Sequence, residues 1–368
     1  MRIMVTGAEG MLGKEIVARL GREHEVIGVD VADFDITDFA ATSAAIAAAR
    51  PALVCHCAAY TDVDGCEREP DRAFRVNAVG TWNVAAAVLA SCGTARVPLG
   101  RGCGGSSLRS QGLPDPAPSP RERRGEGADQ IPPPPSSSPW KGEESSRAMT
   151  PLRRHTPAAP SEPRPAMIYI STDFVFDGAK TEPYTEYDAP NPLGAYGASK
   201  LAGERHVREL VPCHFIVRTA WLYAAHGRNF VLSILRKARE LAAANATAPS
   251  AEPPTLRVVA DQIGSPTYAG DLADAIARHI VDSKLYGTYH ITNRGSCSWA
   301  EFAAEALRLA GSPVRAEPIR SEQWPSPTRR PAYSVLRHYA LELQGRDDLR
   351  PWQDALAEVV GQIGERGS

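Results

Sequence analysis

The sequence predicts an α/β protein built around a doubly wound parallel sheet. An apolar run over residues 2–6 leads into Thr6-Gly7-Ala8-Glu9-Gly10-Met11-Leu12-Gly13, and a helical repeat of apolar residues follows. Further short apolar runs then alternate with helix-like segments, an order typical of parallel strands joined by crossover helices. A strand, a glycine-rich turn and a helix are the context in which a backbone approaches a dinucleotide pyrophosphate, so we predict a Rossmann-type sheet.

The first two strands frame a predicted cofactor site. Strand one spans residues 2–6, and strand two spans residues 25–29 and ends at Asp30. A carboxylate in this place can accept hydrogen bonds from the adenosine ribose hydroxyls and would repel a 2′-phosphate. No arginine follows it immediately, so the sequence favours NAD, although Asp30 could also be an ordinary loop carboxylate. A helix is predicted over residues 39–49.

The third strand, residues 52–57, ends in the small residues Ala58-Ala59-Tyr60-Thr61 at the carboxyl edge, where cofactors bind. Cys55-His56-Cys57 could ligate a metal, but the apolar strand context favours thiols that pack as small hydrophobes. We predict a polar loop over residues 62–70 and one long helix over residues 71–92. Asn77 lies inside that helix, and we expect it to support the cofactor side of the sheet.

The composition changes abruptly over residues 94–166. This stretch holds 15 of the chain's 31 prolines and only one aromatic residue, Trp140. It cannot bury enough apolar surface to offset the entropy of ordering it, so we predict a disordered insertion. A proline-rich docking site is the alternative. Because the insertion follows a helix and precedes a strand, we expect it to leave the sheet at the amino ends, away from the ligand crevice.

Tyr196 and Lys200 are the central candidate pair. They stand four residues apart and therefore share one face of a helix. The ammonium favours the phenolate, so the spacing predicts a Tyr196 pKa lowered from about 10 toward neutrality. Such a phenol can exchange a proton with a carbonyl or an alcohol. Thr172 follows a strand predicted at residues 167–170, and its hydroxyl can converge with this pair on one substrate oxygen.

Several motifs in this order resemble the extended short-chain dehydrogenase/reductase family and, within it, the dTDP-4-dehydrorhamnose reductases. Besides the glycine turn, they are Ser171-Thr172-Asp173-Phe174-Val175-Phe176-Asp177-Gly178, Tyr196-Gly197-Ala198-Ser199-Lys200-Leu201-Ala202-Gly203-Glu204, Val217-Arg218-Thr219-Ala220-Trp221, Asn229-Phe230-Val231, Asp261-Gln262-Ile263-Gly264-Ser265-Pro266-Thr267 and Arg330-Pro331-Ala332-Tyr333-Ser334. The resemblance covers nearly everything except residues 94–166. It implies NADPH- or NADH-dependent reduction of dTDP-4-dehydro-L-rhamnose to dTDP-L-rhamnose, in nucleotide-sugar and cell-surface polysaccharide biosynthesis.

The resemblance also implies residue roles. Tyr196 is the expected general acid, Lys200 its tuner and the anchor of the cofactor ribose, and Thr172 a hydrogen-bond donor to the substrate carbonyl. The expected cofactor contacts are Gly7, Gly10, Met11, Leu12, Gly13, Asp30, Asp35, Ile36, Ala58, Ala59, Tyr60, Ile170, Tyr196 and Lys200. The expected sugar-nucleotide contacts are Thr172, Asp173 and Trp221, and a diphosphate suits the guanidinium groups of Arg329 and Arg330.

Metal binding is not assigned. Some relatives hold Mg²⁺ between subunits through glutamates, and Glu15 matches one such position, but the other ligands cannot be placed in this sequence. The expected domains are a dinucleotide-binding domain of residues 1–93 and 167–225, with a return segment near 256–282, and a smaller C-terminal substrate-binding part of residues 226–255 and 283–368. Within the latter, Ser298 is the expected N-cap of a helix that carries Glu301 three residues on.

Two other functions stay open at this stage. A sugar-nucleotide dehydratase or epimerase of the same family shares the fold and the tyrosine, but dehydratases carry Thr-Asp-Glu where this chain has Phe174 in the third place. A regulatory subunit of methionine adenosyltransferase is similar to the family and binds cofactor without a settled reaction. The complete set of Thr172, Tyr196 and Lys200 favours catalysis.

Composition argues against other partners. The hydrophobic fraction of 43% and the net charge of −2 are ordinary for a globular protein and give no field that attracts nucleic acid or an anionic membrane. The N-terminus runs directly into a strand, and no apolar stretch approaches the roughly 18 residues of a membrane helix. We therefore expect a cytoplasmic enzyme with a small-molecule substrate, and a homodimer is left open.

Overall fold

A six-stranded parallel sheet forms the centre of the protein, whose computed structural model describes residues 1–91, 166–247 and 253–367. The described strands are β1 (Arg2–Thr6), β2 (Glu25–Val29), β3 (Leu53–His56), β4 (Ala166–Thr172), β5 (His214–Thr219), β6 (Leu222–Tyr223), β7 (Thr255–Val259), β8 (Ile263–Gly264), β9 (Thr267–Tyr268), β10 (Gly287–His290), β11 (Cys297–Ser298) and β12 (Arg315–Ile319). The order across the central sheet is β10-β5-β4-β3-β1-β2, which confirms the predicted parallel α/β architecture.

Helices cover both faces of this sheet. The described α-helices are α1 (Met11–Leu20), α2 (Phe39–Ala49), α3 (Val63–Arg68), α4 (Pro70–Phe74), α5 (Thr81–Ser91), α6 (Ala195–Leu210), α7 (Phe230–Thr247), α8 (Ala269–Ala275), α9 (Trp299–Leu309), α10 (Tyr339–Leu343) and α11 (Trp352–Gly367). Helices α1 and α8 pack together on one face, and α2, α5 and α6 pack on the other.

Strand alternation divides the core into two layers. In β1, Ile3 and Val5 join the cluster that includes α1, whereas Met4 joins the cluster that includes α2 and α5. In β4, Ile168 faces the first layer, and Tyr169 faces the second. Successive side chains of a strand point to opposite faces, so a strand buried on both sides reads as a continuous apolar run.

The polar loop predicted over residues 62–70 is wrong. The segment forms α3, because the Asp62 side chain accepts a hydrogen bond from the Gly65 N–H at 3.0 Å and caps the helix. The single helix predicted over residues 71–92 is also wrong in detail. A π-helical stretch, Arg75–Gly80, separates α4 from α5, and Asn77 lies within it. Such π-helical turns occur often at functional sites.

The return segment predicted near 256–282 is only partly correct. β7 pairs with β12 in a separate two-stranded sheet, whereas α8 does pack against α1. The sixth strand of the central sheet is β10, which the sequence analysis placed in the substrate-binding part. It pairs with β5 through Gly287 beside Phe215 and His290 beside Arg218. Local patterns give strand character, but the neighbour of an edge strand is decided by packing.

The predicted insertion, in both its disordered and its docking interpretation, lies outside the described residues except for Ala166, which begins β4. Residues 248–252 also lie outside them. Ala166 pairs with Leu53 at the start of β3, so the described chain resumes at the amino edge of the sheet. Across residues 1–91, 166–247 and 253–367, the described helices include none long and apolar enough to cross a membrane.

Candidate active site

A cleft of about 1240 Å³ opens at the carboxyl ends of the central strands. Thr6 of β1, Val29 of β2 and Ser171 of β4 contribute to one wall, and Trp221, Phe230 and Trp299 belong to the other. Ligands of open α/β sheets bind at this edge, beyond the strands' carboxyl ends. Its volume exceeds the roughly 300–1,000 Å³ of a drug-sized site, so it has room for two ligands side by side.

The N-terminus of α1 provides one end of the cleft. Its N-cap, Gly10, has no capping side chain, and the first turn carries no acidic residue, so backbone N–H groups there are available to an anion. Gly7 has a φ of +70°, and a Cβ at this position would lie 2.6 Å from the Ala58 backbone nitrogen. These open donors and the close backbone approach fit a pyrophosphate.

Asp30 lies beside this turn with its carboxylate fixed. One oxygen accepts the Glu9 N–H at 2.9 Å, and the other accepts the Val31 N–H at 2.8 Å. Asp35 also lines the cleft. An anionic, oriented carboxylate at the end of β2 suits ribose hydroxyls and disfavours a phosphate.

Nearly all the expected cofactor residues line the cleft together. They are Gly7, Gly10, Met11, Leu12, Gly13, Asp30, Asp35, Ile36, Ala58, Ala59, Ile170, Tyr196 and Lys200. Tyr60 is not among the lining residues. Its backbone N–H donates to Asn77 Oδ1 at 2.7 Å, and its carbonyl oxygen accepts from Asn77 Nδ2 at 3.0 Å. Asn77 therefore supports the loop after β3, as the sequence analysis expected.

Tyr196 lies in the cleft, but its pKa differs from the sequence expectation. Burial raises the pKa of the phenol, the Thr172 hydroxyl acts to lower it, and the nearby Asp173 carboxylate raises it. The predicted lowering toward neutrality is wrong for this structure, because loss of water around the hydroxyl outweighs the influence of other groups. The phenol is thus protonated at neutral pH and can act as a proton donor.

Lys200 is 3% exposed, and burial lowers the pKa of its ammonium to about 7. The Glu204 carboxylate one helical turn further on acts in the opposite direction. Glu204 is itself held by Arg218 through two hydrogen bonds of 2.8 Å. Lys200 consequently changes charge near neutral pH rather than near 10.5.

Thr172 and Asp173 form a polar corner beside Tyr196. The Thr172 hydroxyl donates to Asp173 Oδ1 at 2.9 Å and accepts the Phe174 N–H at 3.1 Å. Asp173 Oδ2 accepts from the Ser334 hydroxyl at 2.6 Å, and burial raises the pKa of Asp173 to about 6. The hydroxyl that the sequence analysis directed at a substrate is thus paired with Asp173 in this structure.

Aromatic side chains form the opposite wall. Trp221 stacks on Trp299 with ring centroids 3.4 Å apart, and Phe230 lies 4.5 Å from Trp299. Trp221 has a φ of +45°, which is strained for a side-chain-bearing residue. Gly264 makes room for its indole, because a Cβ on Gly264 would overlap the ring. Flat apolar walls of this kind suit a nucleotide base or a sugar face.

Two ion pairs join α3 to the C-terminal part at the cleft. Arg228 lies 4.0 Å from Asp62, and Arg330 lies 3.3 Å from Asp64, which also accepts from the Thr328 hydroxyl at 2.8 Å. All four charged residues of these pairs line the cleft. Arg329 is exposed and is not among the lining residues.

The metal candidates have other partners. Glu15 bonds to His226 at 2.8 Å. Cys55 is buried, and the His56 ring bonds to Thr6 at 2.6 Å and to Thr81 at 3.1 Å. Among the residues that the structure describes, no three potential ligands cluster as a metal site would require.

Comparison with known proteins gives the family. The sequence model described as "RmlD substrate binding domain" matches residues 1–96 and 158–364. A dTDP-4-dehydrorhamnose reductase from Streptomyces griseus is 33% identical, over 97% of this chain and 92% of the relative. The chain belongs to this family of reductases.

Other relatives and solved structures agree. A probable dTDP-4,6-dihydroxy-2-methyloxan-3-one 4-ketoreductase from Streptomyces antibioticus is 33% identical over 99% of this chain and 96% of its own. The crystal structure of a dTDP-4-dehydrorhamnose reductase from Clostridium acetobutylicum matches with a TM-score of 0.74 and 35% identity, over 99% of this chain and 100% of the other. The Bacillus anthracis enzyme, solved in complex with NADP, matches with a TM-score of 0.73 and 32% identity, over 98% and 99%.

Several residues of this cleft were not predicted from the sequence. Trp299 was not assigned to the site, although its place directly after the Ser298 N-cap was an available signal. The capping box of Ser298 and Glu301 itself is confirmed. Arg228, Asp62 and Asp64 gave no signal, because exposed charged residues are common and their pairing depends on the fold.

Proposed function

We propose that this reductase catalyses the NAD(P)H-dependent reduction of the 4-keto group of dTDP-4-dehydro-L-rhamnose to dTDP-L-rhamnose. The observation that carries the proposal is the meeting of Tyr196, Lys200 and Thr172 in one cleft with the open N-terminus of α1. A proton donor, a cation and a hydroxyl line the same cleft, beside backbone N–H groups that can receive a pyrophosphate. Family membership supplies the substrate class.

The mechanism follows from the protonation states. When bound, a reduced nicotinamide would supply the hydride that the carbonyl carbon receives. Tyr196, whose raised pKa keeps it protonated, donates its proton to the carbonyl oxygen as negative charge develops there. The Lys200 ammonium lowers the cost of the phenolate that remains. Thr172 hydrogen-bonds the same oxygen after its hydroxyl turns from Asp173, and the two walls of the cleft hold the reactants in line.

For the cofactor, we propose a preference for NADH. Asp30 and Asp35 line the cleft, and two backbone N–H groups hold the Asp30 carboxylate in place. These two carboxylates would repel a 2′-phosphate. The solved relative from Bacillus anthracis holds NADP, so kcat/KM should be measured for NADH and for NADPH with the same protein. Asp30→Asn should raise kcat/KM for NADPH relative to NADH about tenfold; an unchanged ratio would contradict this proposal.

For the substrate, we propose that Arg228 and Arg330 receive the diphosphate and that Trp221 and Trp299 face the nucleotide or sugar. A diphosphate would compete with Asp62 and Asp64 for the two guanidinium groups. Arg330→Gln should raise the substrate KM about tenfold while kcat changes little, because this contact lies away from the reacting atoms. Exposed Arg329→Gln is the matched control.

Tyr196→Phe tests the catalytic assignment. Turnover of the keto-sugar, followed at the nicotinamide absorbance band, should fall at least a hundredfold, because general acid catalysis contributes about 10²–10⁴-fold. Cofactor affinity, measured by calorimetry, should persist. Tyr187→Phe removes the same hydroxyl from a side chain that is 77% exposed and should leave turnover unchanged. Undiminished turnover by Tyr196→Phe would contradict the assignment of Tyr196 as the general acid.

The same assay separates the alternatives. Phe174 packs edge-on against Tyr196 with ring centroids 5.6 Å apart, so an apolar group stands where dehydratases carry an acid. A dehydratase would consume a nucleotide sugar without net oxidation of the nicotinamide, and a non-catalytic regulatory subunit would bind cofactor without turnover. A relative from Streptomyces niveus is named dTDP-4-keto-6-deoxy-D-glucose reductase, so both 4-keto sugars should be offered.

Assembly, location and metal complete the proposal. We propose a homodimer that uses the exposed face of Phe39, Val79 and Trp82, whose side chains are 47%, 48% and 39% exposed. Trp82→Glu should then yield monomers in analytical ultracentrifugation.

We also propose that the protein acts in the cytoplasm. We propose in addition that it requires no metal ion, because the Glu15 carboxylate is bonded to His226. Chelation with EDTA should leave the rate unchanged.

A further inference from the structure

The Lys200 ammonium lies over an aromatic ring. Its nitrogen is 4.2 Å from the ring centroid of Tyr169, a residue of β4 with no exposed surface. The Tyr169 hydroxyl donates to the Lys200 backbone oxygen at 3.2 Å, so ring and lysine are fixed to each other at two points. Across the described parts of the chain, the ammonium has no hydrogen bond or ion pair to a side chain.

The charged and titratable groups around Lys200 do not replace this ring. Glu204, on the same helix, accepts hydrogen bonds of 2.8 Å from Arg218 at both of its carboxylate oxygens. Cys57, directly after β3, influences the Lys200 ammonium less than Glu204 does. His56 on β3 stacks on Tyr169 at 5.7 Å and is neutral, because burial lowers its pKa to about 3. Tyr196, one helical turn before Lys200, is a protonated phenol.

We propose that Tyr169 is a positioning residue for the reduction, and that its π face holds the Lys200 ammonium in place of a counter-ion. A ring face attracts a cation through its quadrupole and presents no oxygen or nitrogen acceptor to it. The N–H donors that point away from the ring therefore stay available for the cofactor ribose and for the phenolate of Tyr196. This inference rests on the role of Lys200 in the proposed function.

The ring also influences when Lys200 is charged. Burial lowers the pKa of the ammonium to about 7, and attraction to the ring favours the charged form. Weakening that attraction should lower the pKa of Lys200 further, by about one unit for a desolvated pair. The charged form would then be lost at a lower pH, while the shape of the site stays the same.

Ring fluorination tests this within a series that keeps the aromatic ring. Phe is the reference, because every member of the series lacks the hydroxyl bond to the Lys200 backbone oxygen. Tyr169 is replaced by Phe and then by 4-fluoro-, 3,5-difluoro- and 3,4,5-trifluoro-Phe, which withdraw ring electron density in steps. Along the series, the pKa of the falling basic limb of kcat/KM should decrease stepwise by about one unit in total. The same series at Tyr289, which is 2% exposed and outside the cleft, is the control.

A second measurement does not depend on turnover. The chain contains six lysines, so ¹³C-labelled lysine gives few side-chain resonances, and Lys200→Met identifies the one of interest. The Lys200 resonance should titrate at a lower pH with each added fluorine, even if the protein proves not to reduce the keto-sugar. Failure of the proposed function would thus be distinguishable from failure of this inference. An unchanged Lys200 pKa across the series, in well-folded variants, would overturn it.

Discussion

Glu204 should be among the most sensitive positions for stability. Its side chain is 0% exposed, and Arg218, its main partner, is 2% exposed. The carboxylate accepts two hydrogen bonds of 2.8 Å from Arg218, one of 2.7 Å from the Ser171 hydroxyl and one of 2.8 Å from Arg208. Four charge-assisted or polar bonds converge on one buried group that joins β4, β5 and α6.

Glu204→Gln should lower the free energy of unfolding by about 3–5 kcal/mol, because it leaves the Arg218 guanidinium buried without its counter-charge. That is a large part of the roughly 5–15 kcal/mol that stabilises a typical protein. Arg208→Gln is the matched control. The Arg208 side chain is 36% exposed, so loss of its bond to the same carboxylate should cost at most about 1 kcal/mol. The double variant Glu204→Leu/Arg218→Met should recover much of the loss, since it removes both charges of the buried pair.

Urea unfolding followed by tryptophan fluorescence measures these differences at pH 7. The hydrogen bonds and the charge of Arg218 lower the pKa of Glu204 despite its burial. A carboxyl with a lowered folded-state pKa stabilises the protein above its unfolded pKa of about 4.3, and that contribution is lost as the pH falls further. The difference in the free energy of unfolding between wild type and Glu204→Gln should therefore become smaller at acidic pH. A Glu204→Gln variant within 1 kcal/mol of wild type at pH 7 would refute the reasoning.

Three further outcomes are expected. Gly264→Ala should raise the substrate KM at least tenfold, because it displaces the Trp221 indole, whereas Gly361→Ala, with nothing within 4 Å, should not. The value of kcat/KM should fall as the pH rises through about 7, because Lys200 then loses its charge. A kcat/KM that does not change between pH 6 and pH 9 would contradict this. Deletion of residues 94–163 should leave activity within about twofold of wild type. The described residues before this stretch end with α5 at Ser91, and those after it begin at Ala166, on the amino edge of the sheet and away from the cleft. A folded but inactive deletion variant would contradict this prediction.

Local patterns predicted the fold class and most of the cleft. The run over residues 2–6, the glycine turn and the Asp30 position depend on neighbours along the chain, and the structure shows them as β1, the N-terminus of α1 and a cleft residue. The spacing of Tyr196 and Lys200 likewise fixed their common helix. Such features follow from side-chain periodicity and from backbone conformations that only a few residue types adopt.

Remote contacts decided the rest. The sequence alone determined which chemical groups the cleft holds: a phenol, an ammonium, a threonine hydroxyl and a carboxylate at the end of β2. Only the tertiary structure decided their state. The pKa of Tyr196 is raised because segments far apart in the chain remove water from its hydroxyl, and Lys200 lies over Tyr169 because α6 packs on β4. The Trp221–Trp299 stack depends in the same way on packing across 78 residues of sequence. Burial and pairing are sums over such distant neighbours, which no local pattern records.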